Sequence, residues 1–334
     1  MNLRSYSTTL LIFFLLLLVT LCITPLIGSS EISLARAFSS TLAISNNVDA
    51  NILFQVRLPR ILLGALTGAA LSVSGAIFQS LLRNDLAAPF TLGVSSGAAL
   101  GAVIAIALNL NFSILGFSII SLFSFGGSLG AIFLVFSLVR TRQGEFPTAV
   151  LLLAGVTANF FFASLVMFIH YMADFRQSFT IIRWLMGGLN ITDYNTILTL
   201  FPLVLLGISV LIFFSRDMNL ISTGIHSASS RGVNVWKIQK IGFITASLIT
   251  GAVVAICGPI GFVGLIVPHI VRLYVGPDLR ILIPASALFG ASFLVICDTF
   301  ARTLIAPTEI PVGIITAMLG GPFFVWLLKR KRPV

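Results

Sequence analysis

Charge is what this sequence has least of. Only 9% of its 334 residues are Asp, Glu, Lys or Arg, and 57% are hydrophobic. Soluble domains carry about 25% charged residues, so a single water-exposed domain could not cover this much apolar surface. Cysteine is almost missing. Cys22, Cys257 and Cys297 each lie in or beside an apolar run, no two have metal-ligand spacing, and an odd count builds no disulfide framework. They read as small buried hydrophobes. Histidine is confined to His170, His226 and His269. None stands four residues from another histidine or from a cysteine, so no metal site is expected. Gly-x-x-x-x-Gly-Lys-Ser/Thr does not occur, nor does any Gly-Lys pair, which excludes ATP binding through a P-loop in this chain. The net charge of +10 is spread over short loops. With no basic helix or aromatic-interleaved patch, nucleic acid is excluded as a partner.

What is abundant is continuous apolar sequence, rich in Ala, Leu, Gly and Phe without the alternation of a β-barrel strand. That predicts an all-α membrane protein in which lipid is the solvent and partner. A span needs about 20 apolar residues. Ten transmembrane helices are expected, at 7–27, 60–82, 92–108, 113–139, 148–172, 195–215, 241–257, 262–275, 281–305 and 311–328, in a single domain. Residues 241–275 as one helix would be about 52 Å long, too long even when tilted. Cys257-Gly258-Pro259-Ile260-Gly261 supplies a break. The first apolar run resembles a cleaved signal, with Ala35-Arg36-Ala37 as a cleavage site; the span count favours an uncleaved first span. Residues 176–189 read as a short interfacial helix with Trp184 near the headgroups, ended by Gly187-Gly188.

Ten spans put both termini on one side. Loops on that side hold Arg4, Arg83, Arg140, Arg142, Arg216, Arg231, Lys237, Lys240, Arg272, Arg280, Lys329, Arg330, Lys331 and Arg332, which is 14 of the 20 cations. Arg36, Arg57, Arg60, Arg176, Arg183 and Arg302 fall on the other. Positive charge favours the inside, so both termini are expected to be cytoplasmic. The polar stretch 216–240, with four cations and only Asp217 against them, then faces the cytoplasm as a handle for a soluble partner.

Three further patterns stand out. Asp298 and Arg302, four apart in the ninth span, can pair on one helix face. Arg57-Leu58-Pro59-Arg60 opens the second span, with proline where a first helical turn accepts it. With Arg302, these arginines form an outer basic patch on which an acidic protein could dock. Gly93-Val94-Ser95-Ser96-Gly97 matches the G-x-S-x-G elbow of serine hydrolases, with His269 or His170 as a base. The same residues also suit close helix packing. A channel is a third class, without a filter or charged ring to support it.

Residues 57–102 (RLPRILLGALTGAALSVSGAIFQSLLRNDLAAPFTLGVSSGAALGA), 258–291 (GPIGFVGLIVPHIVRLYVGPDLRILIPASALFGA) and 298–324 (DTFARTLIAPTEIPVGIITAMLGGPFF) resemble the signatures of permease subunits of bacterial ABC importers for iron–siderophore, haem and vitamin B12. The resemblance covers nearly the whole chain. It implies a BtuC-like permease fold in the cytoplasmic membrane and a permease dimer, with a second copy or a paralogue. Two ATPase subunits would bind the ATP and Mg, leaving no cofactor in this chain. A periplasmic or lipid-anchored binding protein would deliver a ferric siderophore or, alternatively, vitamin B12 (cobalamin) or haem.

By motif, the resemblance carries binding-protein docking to Arg57, Arg60 and Arg302. It carries a cytoplasmic gate to Asn84, Leu86, Thr148 and Ala149, and a translocation path to Thr157, Asn159, Ser164, His170 and Met172. The family commonly has Asn-Pro-Leu where this chain has Asn84-Asp85-Leu86. Stretch 216–240 becomes the segment coupled to the ATPase. There Gly224, Ala228, Gly232 and Val233 fit the pattern Leu-Gly-x-x-x-Ala-x-x-Leu-Gly-Val, while Ile225-His226 replace an acidic pair and Arg231 replaces the second leucine.

Overall fold

Lipid offers no partner to a backbone N–H or C=O, so apolar runs must satisfy themselves as helices. The computed structural model describes residues 3–28, 30, 32–38, 47–114, 116–138, 148–190 and 193–330. Arg140, Arg142, Lys331 and Arg332 of the charge tally lie outside these. The described chain forms α1 (Leu3–Ile23), α2 (Val48–Leu81), α3 (Val94–Ala107), α4 (Ile119–Leu138) and α5 (Thr148–Met172). It continues through α6 (Phe175–Leu185), α7 (Tyr194–Phe213), α8 (Ser215–Thr223), α9 (Ile225–Ser230) and α10 (Val235–Cys257). It closes with α11 (Val263–Val275), α12 (Leu279–Thr303) and α13 (Val312–Arg330). Helices α1, α2, α4, α5, α7, α10 and α12 are long and apolar enough to cross a membrane; α3, α11 and α13 contain shorter apolar helices.

Helix α2 holds the centre. Its Leu63, Ala70, Val73, Ala76, Ile77 and Phe78 are fully buried, as expected of a helix apolar all round. It packs most extensively on α12, then on α10 and α11. Two crossings set these distances. A Cβ on Gly68 would stand 2.1 Å from the Gly290 carbonyl oxygen of α12, and one on Gly75 would stand 1.8 Å from that of Gly264 on α11. Without side chains there, the backbones meet directly. Helix α1 joins the bundle through Phe13, whose ring lies 5.4 Å from that of Phe289 on α12.

Several boundaries depart from the apolar pattern. Helix α2 begins at Val48, capped by the Asn47 side chain accepting from the Ala50 N–H. Residues Ile52–Arg57 run as a π-helix, in which the Leu58 N–H reaches back to the Leu53 carbonyl. Pro59 therefore sits inside a continuous helix and not in a first turn. The π register comes just before the residue that has no N–H to give. Ahead of α4, β1 (Ser113–Ile114) and β2 (Phe117–Ser118) form an antiparallel hairpin pairing Ser113 with Ser118 and Ile114 with Phe117. Stretch 216–240 folds into α8, α9 and the start of α10. Lys240 rides on α10, its Nζ 4.8 Å from the Trp236 ring, a cation–π contact.

The α10–α11 break is built by Gly258 (φ +68), Pro259 and Phe262 (φ +66). Helix α6 ends on it. Asp174 and Gln177 form its capping box, at 2.7 and 3.1 Å. The helix stops at Leu185, short of 189, with Gly187 at φ +68. The Gly188 N–H donates to the Cys257 carbonyl at 2.8 Å, and the Gly313 N–H to that of Gly187 at 3.3 Å. The end of α6, the break and the start of α13 thus meet at one point.

Candidate functional site

The outer arginines come together, but inward. Arg57, Arg60 and Arg302 are 3, 7 and 4% exposed. Arg60 Nε lies 3.1 and 3.0 Å from the two Asp298 carboxylate oxygens, its Nη2 2.9 Å from Oδ1, and its Nη1 2.6 Å from Glu309 Oε2. Arg302 Nε is 3.1 Å from Asp298 Oδ2, one helical turn away on α12. Arg57 donates to the Pro25 carbonyl at 2.7 Å and to the Ser30 carbonyl. The expected solvent-facing basic patch is corrected: buried guanidinium groups require counter-charge or hydrogen-bond acceptors, which Asp298 and Glu309 supply to Arg60, Asp298 to Arg302, and backbone carbonyls to Arg57. The most accessible side chain of the four-charge cluster Arg60, Arg302, Asp298 and Glu309 is Glu309, 42% exposed. Arg60 stands about 32 Å along α2 from Leu81, one hydrocarbon thickness, which places the cluster at headgroup level. A cavity of about 170 Å³ opens beside it, walled by Arg57, Arg60, Arg302 and Glu309.

At the other end of α2, side chains shape the loop Asn84-Asp85-Leu86. Arg83 takes φ +47. Asn84 Oδ1 accepts from the Leu86 N–H at 2.9 Å, an Asx turn, leaving Leu86 exposed. Asp85 Oδ1 accepts from Arg272 Nη1 of α11 at 2.8 Å, and Arg272 Nη2 donates to Gln79 Oε1 at 3.2 Å. Thr148 is half-buried and Ala149 exposed at the start of α5. The loop meets α5 two turns further on, where a Cβ on Gly155 would lie 2.7 Å from Leu92 Cα.

The stretch 216–240 is fastened to the bundle from two sides. Arg83 donates to the Ile221 carbonyl of α8. Asn219 of α8 donates to Asp278 Oδ1 at 2.6 Å and accepts from the Leu279 N–H at 2.9 Å, where α12 begins. Hydrogen bonds from Arg280, above all, hold the Asp278 carboxyl below the usual carboxylate range. Met218, Ile221 and Ala228 are buried; Ile225 and Val233 pack on the core. Gly224 is half-buried, whereas His226, Arg231 and Gly232 face out. Of the seven residues carried over by motif, those three are the exposed ones.

Helix α5 splits its five. Thr157, Ser164 and Met172 are exposed among Phe160, Phe161, Met167, Phe168 and Tyr171. Asn159 and His170 are half-buried, about 130° around the helix from Ser164. A face this apolar suits lipid or a second subunit; Thr157 and Ser164 give it hydrogen-bonding capacity. Sequence reasoning missed a wide concavity of about 540 Å³ bordered by Met186, Phe262, Ile314 and Met318, at the junction of α6, the α10–α11 break and α13.

The G-x-S-x-G stretch has structural uses. Gly93 turns at φ +80. Ser96 donates to its carbonyl at 3.0 Å, and Ser95 is buried. A Cβ on Gly97 would stand 2.6 Å from the Gly127 carbonyl oxygen. Among the described residues, no group of three His, Cys, Asp or Glu is placed to hold a metal.

Comparison with known proteins identifies the family of the chain. Residues 15–330 match the FecCD transport family. The chain is 39% identical over 339 residues to the hemin transport system permease protein HmuU of Yersinia pestis, covering 99% of this chain and 98% of that one. It is 44% identical over 276 residues to the cobalamin import system permease protein BtuC of Halobacterium salinarum, covering 83% and 73%. Its fold superposes on an inward-facing metal-chelate type ABC transporter with a TM-score of 0.82, 32% identity and coverage of 97% and 99%. The chain belongs to the FecCD transport family: it is a multi-pass membrane permease subunit of an ABC importer, and not itself catalytic.

Proposed function

We propose that this chain is one half of a path by which a ferric siderophore crosses the cytoplasmic membrane. A second permease, identical or paralogous, supplies the other half. Two ATPase subunits seat on α8 and α9, and a periplasmic or lipid-anchored binding protein delivers the chelate to the outer ends of α2 and α12. Both termini then face the cytoplasm, in keeping with the cation bias. The observation that carries the reading is the long exposed face of α5, where Thr157 and Ser164 interrupt an aromatic surface. A path for a bulky chelate needs such a wall, apolar enough to bind weakly and polar enough to stay wet. The chain has no energy source of its own. Any change of access must come from contacts that the ATPase makes more favourably in one state than in the other.

The likeness to cobalamin and hemin permeases favours a second reading within the same class, with cobalamin or haem as cargo. The deciding experiment is reconstitution in lipid vesicles with the cognate ATPase and binding protein. Loaded separately with a ferric hydroxamate, cobalamin or haem, the binding protein should stimulate ATP hydrolysis and uptake with the ferric hydroxamate. Stimulation by cobalamin or haem alone moves the assignment to that cargo. Stimulation by none of the three sinks the metal-chelate reading.

A further inference from the structure

The inner ends of α2 and α11, the loop after α2, and α8 converge on a cavity of about 190 Å³ bordered by Gln79, Arg83, Asp85, Ser222, Arg272 and Pro277. Polar groups bridge it in sequence. Gln79, 1% exposed, donates from Nε2 to the Leu265 carbonyl at 3.3 Å and accepts from Arg272. Arg272 also holds Asp85 at 2.8 Å. Two residues before Asp85, Arg83 donates to the Ile221 carbonyl of α8. The loop is therefore held on one side by α11 and on the other by α8.

We propose that the Asp85–Arg272 ion pair is the joint that turns displacement of α8 into displacement of the loop carrying Asn84 and Leu86. The proposal rests on the reading of α8 and α9 as the ATPase-coupled segment. The Asn84 N–H to Gln79 carbonyl bond at 3.2 Å ties the loop only to its own helix, and a link at Arg83 alone would drag it with α8 without fixing its place against α11. The Asp85–Arg272 pair fixes one resting place. Its side chains are 39 and 22% exposed: sheltered enough for the pair to hold, wet enough for it to open without leaving a dry unpaired charge. The adjoining cavity gives the side chains room to move. Through Asp85 the loop is tethered to α11 by a bond that can open and close. Asp85 and Arg272 act as positioning residues, through the loop and not on cargo.

The test uses the full importer in vesicles with its ATPase and loaded binding protein, reading cargo moved per ATP hydrolysed. Asp85→Asn and Arg272→Gln should each keep the ATPase associated and its basal hydrolysis intact, while cargo per ATP falls about fivefold or more. The exchanged pair, Asp85→Arg with Arg272→Asp, should recover at least half of the loss. An Asp85→Asn importer as tightly coupled as the parent refutes the joint, and so does an exchanged pair that recovers nothing. Asp85 is on a partly exposed loop, so its variant stays informative if Arg272→Gln fails to fold. Failure of the parent permease to copurify with the ATPase refutes instead the coupling reading on which the joint rests.

Discussion

Replacing Asp298 by Asn keeps the side chain's shape and removes the charge that two arginines share. Asp298 is 1% exposed, accepts three hydrogen-bond contacts from Arg60 and lies 3.1 Å from Arg302 Nε. Coulomb attraction at 2.9 Å with an effective dielectric near 20 amounts to about 6 kcal/mol. Desolvation offsets much of that, and breaking a buried pair from one side typically costs about 3–5 kcal/mol. Glu309 still holds Arg60 Nη1 at 2.6 Å, and the cluster is at headgroup level, so we expect the lower end, about 3 kcal/mol. The assay is unfolding in mixed micelles titrated with SDS, with Arg60→Met and the double variant completing a cycle. The double variant should be less destabilised than the sum of the singles by about 1–3 kcal/mol, because removing Arg60 relieves one stranded guanidinium. Asp298→Asn within about 0.5 kcal/mol of the parent, the range of an ordinary surface change, would refute the account of the cluster. Strict additivity would show that Arg60 and Asp298 do not rely on each other.

Glu309→Gln removes the accessible carboxylate from the cluster and leaves Arg60 to Asp298; an acidic binding protein should dock about two- to fivefold more tightly, in line with about 0.5–1 kcal/mol for an exposed pair. Weaker docking, measured by surface capture, would argue that the arginines do not receive it. Gly75→Ala forces a Cβ against the Gly264 carbonyl and should cost about 1–3 kcal/mol by overpacking. Gly130→Ala in α4 meets nothing within 4 Å and should be neutral or stabilising by up to about 1 kcal/mol, so equal melting of the two would contradict the crossing geometry. Asp278 has its folded-state carboxyl depressed by Arg280. Its contribution is present above the unfolded value of about 3.9 and is lost as pH falls through the folded value. Asp278→Asn should flatten the acid limb of stability below about pH 4 while matching the parent's slope at pH 7. An unchanged acid limb would exclude Asp278 as a source of that dependence.

Much of this architecture is legible along the chain because lipid makes the helix the default and glycine or proline its punctuation. The apolar runs, the break at Gly258-Pro259 and the Asp298–Arg302 turn depend on near neighbours, so local pattern suffices. The rest depends on partners far away. Nothing near Arg60 announces that its counter-ion is 238 residues on, so a buried pair reads as an exposed patch. The π register before Pro59 leaves no mark beyond the proline itself. The stretch 216–240 looks like open loop because its buried residues, Met218, Ile221, Ala228, Val235, Ile238 and Gln239, are scattered among exposed polar ones. In α5, by contrast, the spacing was informative: Asn159 is two residues from Thr157, about 200° around a helix, and could not share its face. At 84–86, nothing in the local sequence announces that Asp85 finds Arg272, 187 residues on.

The distance between Arg60 and Asp298 also bears on how the protein is made. Translation runs at about 5–20 residues per second, so Asp298 follows Arg60 out of the ribosome by about 10–50 s. Glu309 comes later still. For that interval the central helix waits in the bilayer without the α12 surface it is shaped to meet and with Arg60 unanswered, whereas the carbonyls that hold Arg57, those of Pro25 and Ser30, precede it in the chain. The place of Arg60 at headgroup level makes the wait tolerable, since such a guanidinium can reach water until its carboxylates arrive. The rim position of the charges is thus as much a condition of biogenesis as of the finished bundle.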